Sequence, residues 1–501
     1  MVLTCLQMQN AEKAAFAQGG SAAQLMEEAG QGIATILRQF FPQPGHLILY
    51  LGSGNNAGDA LAAAVHLHKA GWQIYARLTR SAESFKELPA GYWRDLEEKI
   101  TILDSASSVP ELTGRIVFMD GMVGIGARVP LQGAMAEAVV EMNHLRRCRH
   151  AITVALDLPS GLDPETGIPS TPCVQADLTI TIAHAKTPLL ADSATSVVGR
   201  LAIVPLRGLS VVETDNADQV LTSRMLLPLL PRRSFEYHKG QAGRVGVVAG
   251  SRGYLGAAVL CASGALRGGA GLVTLYVKED VYPLVASQMP PPIMVKVVKD
   301  YQEVLNDPLN VLAMGSGLGF GDESEVLQLM AAVKIPAVID ADALTILARS
   351  GLDPLLSNQA PKLLTPHPGE MARLMERTPE WSALSRREQV INFTSLYPDV
   401  TLLLKGARTI IAAPGQSASY NTTGHPGMAT GGMGDVLAGL SAALAAQGMD
   451  LYHAACVAAW LGGRASELAL THDHQSQESV TAGDTLHHLG MAFEDLKALA
   501  F

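Results

Sequence analysis

The sequence predicts an α/β fold in two domains, and two observations carry that expectation. First, short apolar runs end in loops of glycine, asparagine or aspartate, and small-residue helical stretches follow. Residues 46–51 open into Gly52-Ser53-Gly54-Asn55-Asn56-Ala57-Gly58-Asp59 ahead of a helix over 60–70, and residues 245–249 open into Gly250-Ser251-Arg252-Gly253-Tyr254-Leu255-Gly256-Ala257. Buried strand, glycine loop and helix form the repeating unit of doubly wound parallel sheets. Second, 501 residues exceed what one core supports. Residues 207–235 turn polar and then carry prolines and arginines, which puts a boundary near 215–222. We therefore expect domains over 1–215 and 222–501.

Composition narrows the function classes. Hydrophobic residues make up 48% and charged residues 17%, a globular balance. A net charge of -10 argues against a nucleic-acid surface but leaves room for a local basic pocket. The five cysteines (Cys5, Cys148, Cys173, Cys261 and Cys456) are scattered, with no C-x-x-C pair. They suggest neither a zinc site nor a disulfide frame, so a reducing cytoplasm is the expected compartment. No basic segment followed by an apolar core opens the chain. No uncharged apolar run reaches about 18 residues, so no membrane anchorage is expected. The apolar stretch 254–275 is broken by Arg267 and several glycines and reads as a helix entering a strand.

In the first half, residues 11–40 carry a helical apolar period around Leu25-Met26-Glu27-Glu28-Ala29-Gly30. The loop at 52–58 is spaced G-x-G-x-x-x-G, not the dinucleotide G-x-G-x-x-G, so it is weak support for a redox cofactor. Asn55, Asn56 and Asp59 are the stronger clue, because three polar side chains at one loop can hold a ligand or an ion. Three further strand-like runs end in polar loops. Residues 115–119 end at Asp120, followed by Gly121-Met122-Val123-Gly124-Ile125-Gly126-Ala127-Arg128-Val129-Pro130. Residues 151–156 end at Asp157-Leu158-Pro159-Ser160-Gly161-Leu162-Asp163, and residues 176–183 end near His184 and Lys186. Ligands of open α/β sheets gather beyond the carboxyl ends of strands, which would bring Asn56, Asp120 and Ser160 to one crevice. That oxygen-rich set suits a hard, monovalent cation. Taken singly, Asp120 and Asp157 also read as turn caps.

Asn55-Asn56-Ala57-Gly58-Asp59, the Asp120–Pro130 loop and Asp157-Leu158-Pro159-Ser160-Gly161-Leu162-Asp163 together resemble the YjeF N-terminal domain, an NAD(P)HX epimerase of Rossmann-like three-layer fold, over about residues 5–210. The resemblance implies NAD(P)HX binding by Asn55, Asn56, Ala57, Gly58, Asp59, Gly124, Ile125, Gly126, Ala127, Arg128, Val129, Pro130 and Asp157. It also implies Asp157 as acid/base and potassium held by Asn56, Asp120 and Ser160. Ala57 and Ala60 stand where that family usually has glycine.

The second half opens with His238-Lys239-Gly240-Gln241-Ala242-Gly243-Arg244 and the strand at 245–249. Later strands end in Gly315-Ser316-Gly317-Leu318-Gly319, Asp340-Ala341-Asp342-Ala343-Leu344 and Thr365-Pro366-His367-Pro368-Gly369-Glu370, and then in Lys405-Gly406-Ala407-Arg408-Thr409. No G-x-x-x-x-G-K-[S/T] occurs, so this is not a P-loop enzyme. Lys405 could face a phosphate or lie on the surface near a turn. His367 could contact a ligand or stiffen a turn. In Thr430-Gly431-Gly432-Met433-Gly434-Asp435-Val436-Leu437, glycines crowd one carboxylate ahead of a small-residue helix. A helix N-terminus attracts anions, so a carboxylate there makes sense as a base acting on a hydroxyl that meets a phosphate. It reads alternatively as an N-cap aspartate.

T-P-H-P-G-E, D-A-D-A-L, L-K-G-x-x-T and G-G-x-G-D-V-L, in this order, resemble the YjeF C-terminal domain, an ADP/ATP-dependent NAD(P)HX dehydratase of ribokinase-like α/β fold, over about residues 222–495. The resemblance implies Asp435 as catalytic base, with Ala257, Gly317 and His367 near the hydrated nicotinamide. It further implies that Lys405, Gly406, Ala407, Arg408, Thr409 and Gly434 bind ADP or ATP with Mg2+, in a homo-oligomer of four or more subunits. Ser316 replaces a proline of that family, and His425 an asparagine. The alternative is a ribokinase-like small-molecule kinase with a non-catalytic N-terminal scaffold.

Overall fold

The computed structural model describes residues 1–103, 109–209, 217–376, 378–473 and 475–499. The expected domain end at 215, the polar linker residues 211–216 and the chain end at 501 lie outside the described residues. The chain divides into two compact units between Ala217 and Asp218.

The first unit is built on a seven-stranded sheet. Its order is Thr101–Leu103, Gln73–Leu78, His46–Leu51, Ile116–Gly121, Ile152–Leu156, Leu178–Ile182 and Arg200–Val204, with every pairing parallel. Helices cover both faces of such a sheet, so its strands read as apolar runs rather than alternating ones. His46–Leu51 is buried from Leu47 onward for this reason. Strand order reverses between His46–Leu51 and Ile116–Gly121, and ligands of such sheets gather beyond the carboxyl ends at that point. Asn55 starts the helix Asn55–Lys69, so Asn56 and Asp59 lie in its first turns rather than in the preceding loop. Asp120 lies within its strand, not after it. The helical period read over 11–40 resolves into Cys5–Ala17 and Ala22–Phe40, because the Ser21 side chain accepts from the Gln24 amide and starts a second helix.

The second unit carries a ten-stranded sheet. Its order is Gln219–Val220, Ser419–Asn421, Thr409–Ala412, Val400–Leu404, Lys362–Leu364, Ala337–Ile339, Val311–Met314, Arg244–Val248, Leu272–Val277 and Ile293–Val297. Thr409–Ala412 runs antiparallel to both neighbours, and the other pairings are parallel. The order reverses between Arg244–Val248 and Val311–Met314. The helix Met433–Ala446 packs on Leu255–Arg267 through small residues. A Cβ on Gly264 would stand 2.5 Å from the Val436 carbonyl oxygen, and one on Gly439 would fall on the Cys261 carbonyl oxygen. Backbone approach this close tolerates only glycine at the contact. Among the described residues, no helix is long and apolar enough to cross a membrane.

Gly439→Ala would force the two helices apart. We expect the second unit's unfolding transition to lose about 1–3 kcal/mol, measured by denaturant titration.

Candidate functional sites

In the first unit a carboxylate cluster lies at the carboxyl ends of the strands where the order reverses. Asp120 is fully buried. Its Oδ2 accepts the Ser160 amide at 2.7 Å, and its Oδ1 accepts the Ser160 hydroxyl at 2.7 Å and the Met122 amide at 3.2 Å. These bonds favour the charged form, but burial outweighs them and pushes the carboxyl up to about 6. Asn56 donates to the Val123 carbonyl at 3.0 Å, and its Oδ1 is buried with no partner. The Val123 amide donates to the Ser160 hydroxyl at 3.2 Å. The structure thus brings Asn56, Asp120 and Ser160 together around one oxygen and one carboxylate that have, among the described residues, no hydrogen-bond and no ion-pair partner respectively.

Asp157 stands beside this group with φ at +63°. Its Oδ2 accepts the Ile125 amide at 3.2 Å, and its Oδ1 accepts the Lys186 ammonium at 2.5 Å. A Cβ on Gly124 would stand 2.9 Å from Asp157 Oδ2, so glycine keeps that oxygen uncovered. Burial raises the Asp59 carboxyl well above the usual range, with Asp157 and Glu12 adding to the effect. Ala57 and Gly58 are buried in the helix's first turn, and Asn55 is exposed. On the loop that follows Gly124, the Ala127 amide closes a turn onto the Gly124 carbonyl at 2.9 Å. Gly126, Arg128 and Pro130 are exposed further along, and Val129 is half-buried.

In the second unit Asp435 is the third residue of its helix, and the N-cap is Gly432 at φ +95°. The carboxylate is therefore not the helix cap. Burial pushes it up to about 6 and Asp340 adds to the rise, against a hydrogen bond from the Ser316 hydroxyl and the charge of Lys405. Lys405 donates to Asp340 Oδ1 at 2.7 Å, and its ammonium lies 3.9 Å from Glu370. Burial opposes its charge, but Asp340 and Glu370 outweigh that and raise it. A Cβ on Gly434 would stand 3.2 Å from the Lys405 ammonium, so the lysine lies against the start of the Asp435 helix. A Cβ on Gly317, itself at φ +59°, would stand 2.8 Å from that of Ala257, which joins those two residues at one lip. Gly406 and Ala407 are exposed in the turn between Val400–Leu404 and Thr409–Ala412, Thr409 is half-buried and Arg408 is buried.

His367 is the N-cap of Pro368–Leu374 and accepts the Gly369 amide at 3.0 Å, while its own amide donates to Glu370 at 2.8 Å. Its ring is half exposed. It thus sits one step from Lys405 by way of Glu370. His425 accepts the Gly427 amide at 3.1 Å and pairs with the Ser466 hydroxyl at 2.9 Å, so it fastens the turn ahead of the Asp435 loop.

Sequence reasoning gave Asp340, Glu370, Ser316 and Lys186 no role. Asp340 and Glu370 lie in the motifs quoted for the second half, at strand ends where a carboxylate can reach the crevice. Lys186 follows a strand end, but nothing local marks it as the partner of a residue 29 positions earlier.

Residues 22–188 match the model of the YjeF-related protein N-terminus, and residues 245–488 match that of NAD(P)H-hydrate dehydratase. The two matches carry the expected fold classes, Rossmann-like and ribokinase-like. The chain is 35% identical to the bifunctional NAD(P)H-hydrate repair enzyme Nnr of Moorella thermoacetica, over 94% of this chain and 92% of that one. It is 32% identical to the enzyme of the same name from Vibrio cholerae, over 96% and 95%. A solved ADP/ATP-dependent NAD(P)H-hydrate dehydratase from Bacillus subtilis, co-crystallized with ATP/Mg2+, is 27% identical over 56% of this chain and 98% of that chain, at a TM-score of 0.48. With relatives at 32–35% identity that cover 94–96% of its length, the chain belongs to the family of bifunctional NAD(P)H-hydrate repair enzymes.

Proposed function

We propose that the second unit dehydrates S-NAD(P)HX at the expense of ADP or ATP, and that the first interconverts the R and S epimers so that neither is stranded. The observation that carries the first half of this reading is Asp435: a carboxylate raised to about 6 at a helix mouth, with the Lys405 ammonium against the same turn. NAD(P)HX carries a hydroxyl at C6 of the nicotinamide ring, and hydroxide leaves poorly. Asp435 takes the hydroxyl proton as the nucleotide's terminal phosphoryl group arrives. The N–H groups of the helix start and the Lys405 ammonium stabilise the charge on that group. The ring nitrogen's lone pair then expels phosphate, C5 gives up a proton, and the nicotinamide is restored. The other products are phosphate and a nucleotide shorter by one phosphoryl group.

Ala257 and Gly317 supply a lip for the hydrated ring, His367 caps the helix that carries Glu370, and the turn Lys405–Thr409 with Gly434 faces the adenine nucleotide. The described residues form no cage of three or more histidine, cysteine or acidic side chains for a metal. Magnesium would be held by the nucleotide phosphates and water, with Asp340 and Glu370 as outer carboxylates, and would offset phosphate charge.

In the first unit Asp157 acts as the acid/base on the C6 centre, and Asn55–Asp59 with Gly124–Pro130 hold the nucleotide. Asn56, Asp120 and Ser160 fit potassium, because an orphaned amide oxygen and an uncompensated buried carboxylate both call for a cation. That ion would neutralise Asp120 and steady the loop that starts at Gly121. The small-molecule kinase alternative is not favoured, since the repair-enzyme relatives match both units.

Asp435→Asn should keep nucleotide binding, measured by calorimetry, and lose on the order of 10²–10⁴-fold in NADH restored from S-NADHX. Wild-type speed in that variant would remove Asp435 as base. The base form is lost as pH falls through about 6. The wild-type rate on the S epimer should accordingly level off above that pH and drop about tenfold per unit below it, read from a pH–rate profile. Asp157→Ala should leave the S epimer's dehydration intact and reduce consumption of the R epimer to its spontaneous rate, followed by chromatography of a mixed sample.

A further inference from the structure

Both oxygens of Asp157 are held by groups that lead back to the first residues of the chain. Oδ1 takes the Lys186 ammonium, which is 1% exposed and spends its remaining protons on the Ile182 carbonyl at 2.7 Å and the Thr181 hydroxyl at 3.0 Å. A saturated, buried ammonium has no donor left for a substrate. The backbone of Lys186 is in turn clamped from outside the main sheet. Val2–Leu3 pairs in parallel with Ala185–Lys186, Leu3 opposite Lys186, and the Thr187 hydroxyl donates to the Leu3 carbonyl at 3.2 Å. Oδ2 takes the Ile125 amide, and the carbonyl of the same residue accepts the Gln9 side-chain amide at 3.3 Å. Gln9 lies on the helix Cys5–Ala17, which starts with a Thr4–Gln7 capping box and buries Met8 in a small core with Leu3, Ala183 and Leu209, against which Leu25 and Ile125 pack. The same helix brings Cys5 and Glu12 within electrostatic range of Asp157, and both are pushed up chiefly by burial, with Asp157 adding to it.

We infer that residues 2–12 complete the epimerase site, with Gln9 and Lys186 as positioning residues that fix the two oxygens of Asp157. The family match begins only at residue 22, downstream of this segment. The inference rests on the reading of Asp157 as acid/base. Lys186 pins Oδ1 and leaves Oδ2, next to the uncovered edge at Gly124, as the oxygen that faces the C6 centre. Gln9 holds the Ile125 carbonyl and so, through the Ile125 Cα, restricts the preceding peptide whose N–H meets Oδ2.

The test uses the full chain with mixed NADHX epimers and excess ADP, so that R-epimer consumption reports the first unit and initial S-epimer consumption reports the second. Gln9 is half-buried, so Gln9→Ala should fold. We expect its epimerase kcat to fall about fivefold with KM little changed, the worth of one ordinary hydrogen bond. Gln9→Glu, which lacks the donor, should fall at least as far. Lys186→Met should lose on the order of a hundredfold, because it strips a buried carboxylate of its counter-charge, and Lys186→Arg should recover part of the loss. S-epimer dehydration should stay at the wild-type rate in all four. Asp157→Asn is measured alongside. If it alone is inactive while the Gln9 and Lys186 variants keep wild-type kcat, the positioning role is overturned. If Asp157→Asn itself keeps wild-type epimerase speed, the acid/base assignment fails instead. A Gln9→Ala loss carried by KM with kcat unchanged would overturn the positioning role and assign Gln9 to substrate binding.

Discussion

A carboxylate in a poorly hydrated crevice needs a counter-charge held in place, and each unit meets that need with a lysine drawn from a strand end. Lys186 sits on Asp157, and Lys405 sits on Asp340 within reach of Glu370. Charge removed from water is costly unless it is paired and hydrogen-bonded. These pairs therefore allow each unit to concentrate acidic groups in one place. Burial raises carboxylates without such an ion pair: Asp59 well above the usual range, and Asp120 and Asp435 to about 6. The two units thus combine a pinned carboxylate with a raised one, although the raised group lies in the proposed cation site in the first and at the proposed chemistry in the second.

Topology supplies the crevices. In each sheet the strand order reverses once near the middle, between His46–Leu51 and Ile116–Gly121 and between Arg244–Val248 and Val311–Met314. Loops leave such a point in opposite directions and cannot fill the space between them. Helix starts then bring backbone N–H groups to the gap, at Asn55 in the first unit and at Met433 in the second. The second helix comes close enough only because glycines line its contact with Leu255–Arg267. Stability of that interface and placement of Asp435 are consequently one property, since a methyl at the contact would move the helix that carries this carboxylate.

Much of this was legible in the chain. The apolar runs at 46–51 and 245–249 became central parallel strands, and the glycine-ringed Asp435 became a half-buried carboxylate at a helix mouth. Asn56, Asp120 and Ser160 converge as the strand ends implied. Boundaries were less legible. Asn55 opens a helix that composition placed five residues later, because packing of the alanine-rich face extends the helix into the polar loop. Asp435 could be read as an N-cap until the backbone put Gly432 there.

The sequence by itself determined the fold class, the division into two domains and the motifs on which the family resemblance rests, since each depends on local periodicity and residue spacing. Only the tertiary structure decided which charges meet. Lys186 with Asp157, Lys405 with Asp340, and Gln9 with Ile125 join residues from 29 to 116 positions apart. Such pairings are set by which strands and helices become neighbours. Burial then settles what each charge does, because the same aspartate in water would have neither a raised carboxyl nor a fixed partner.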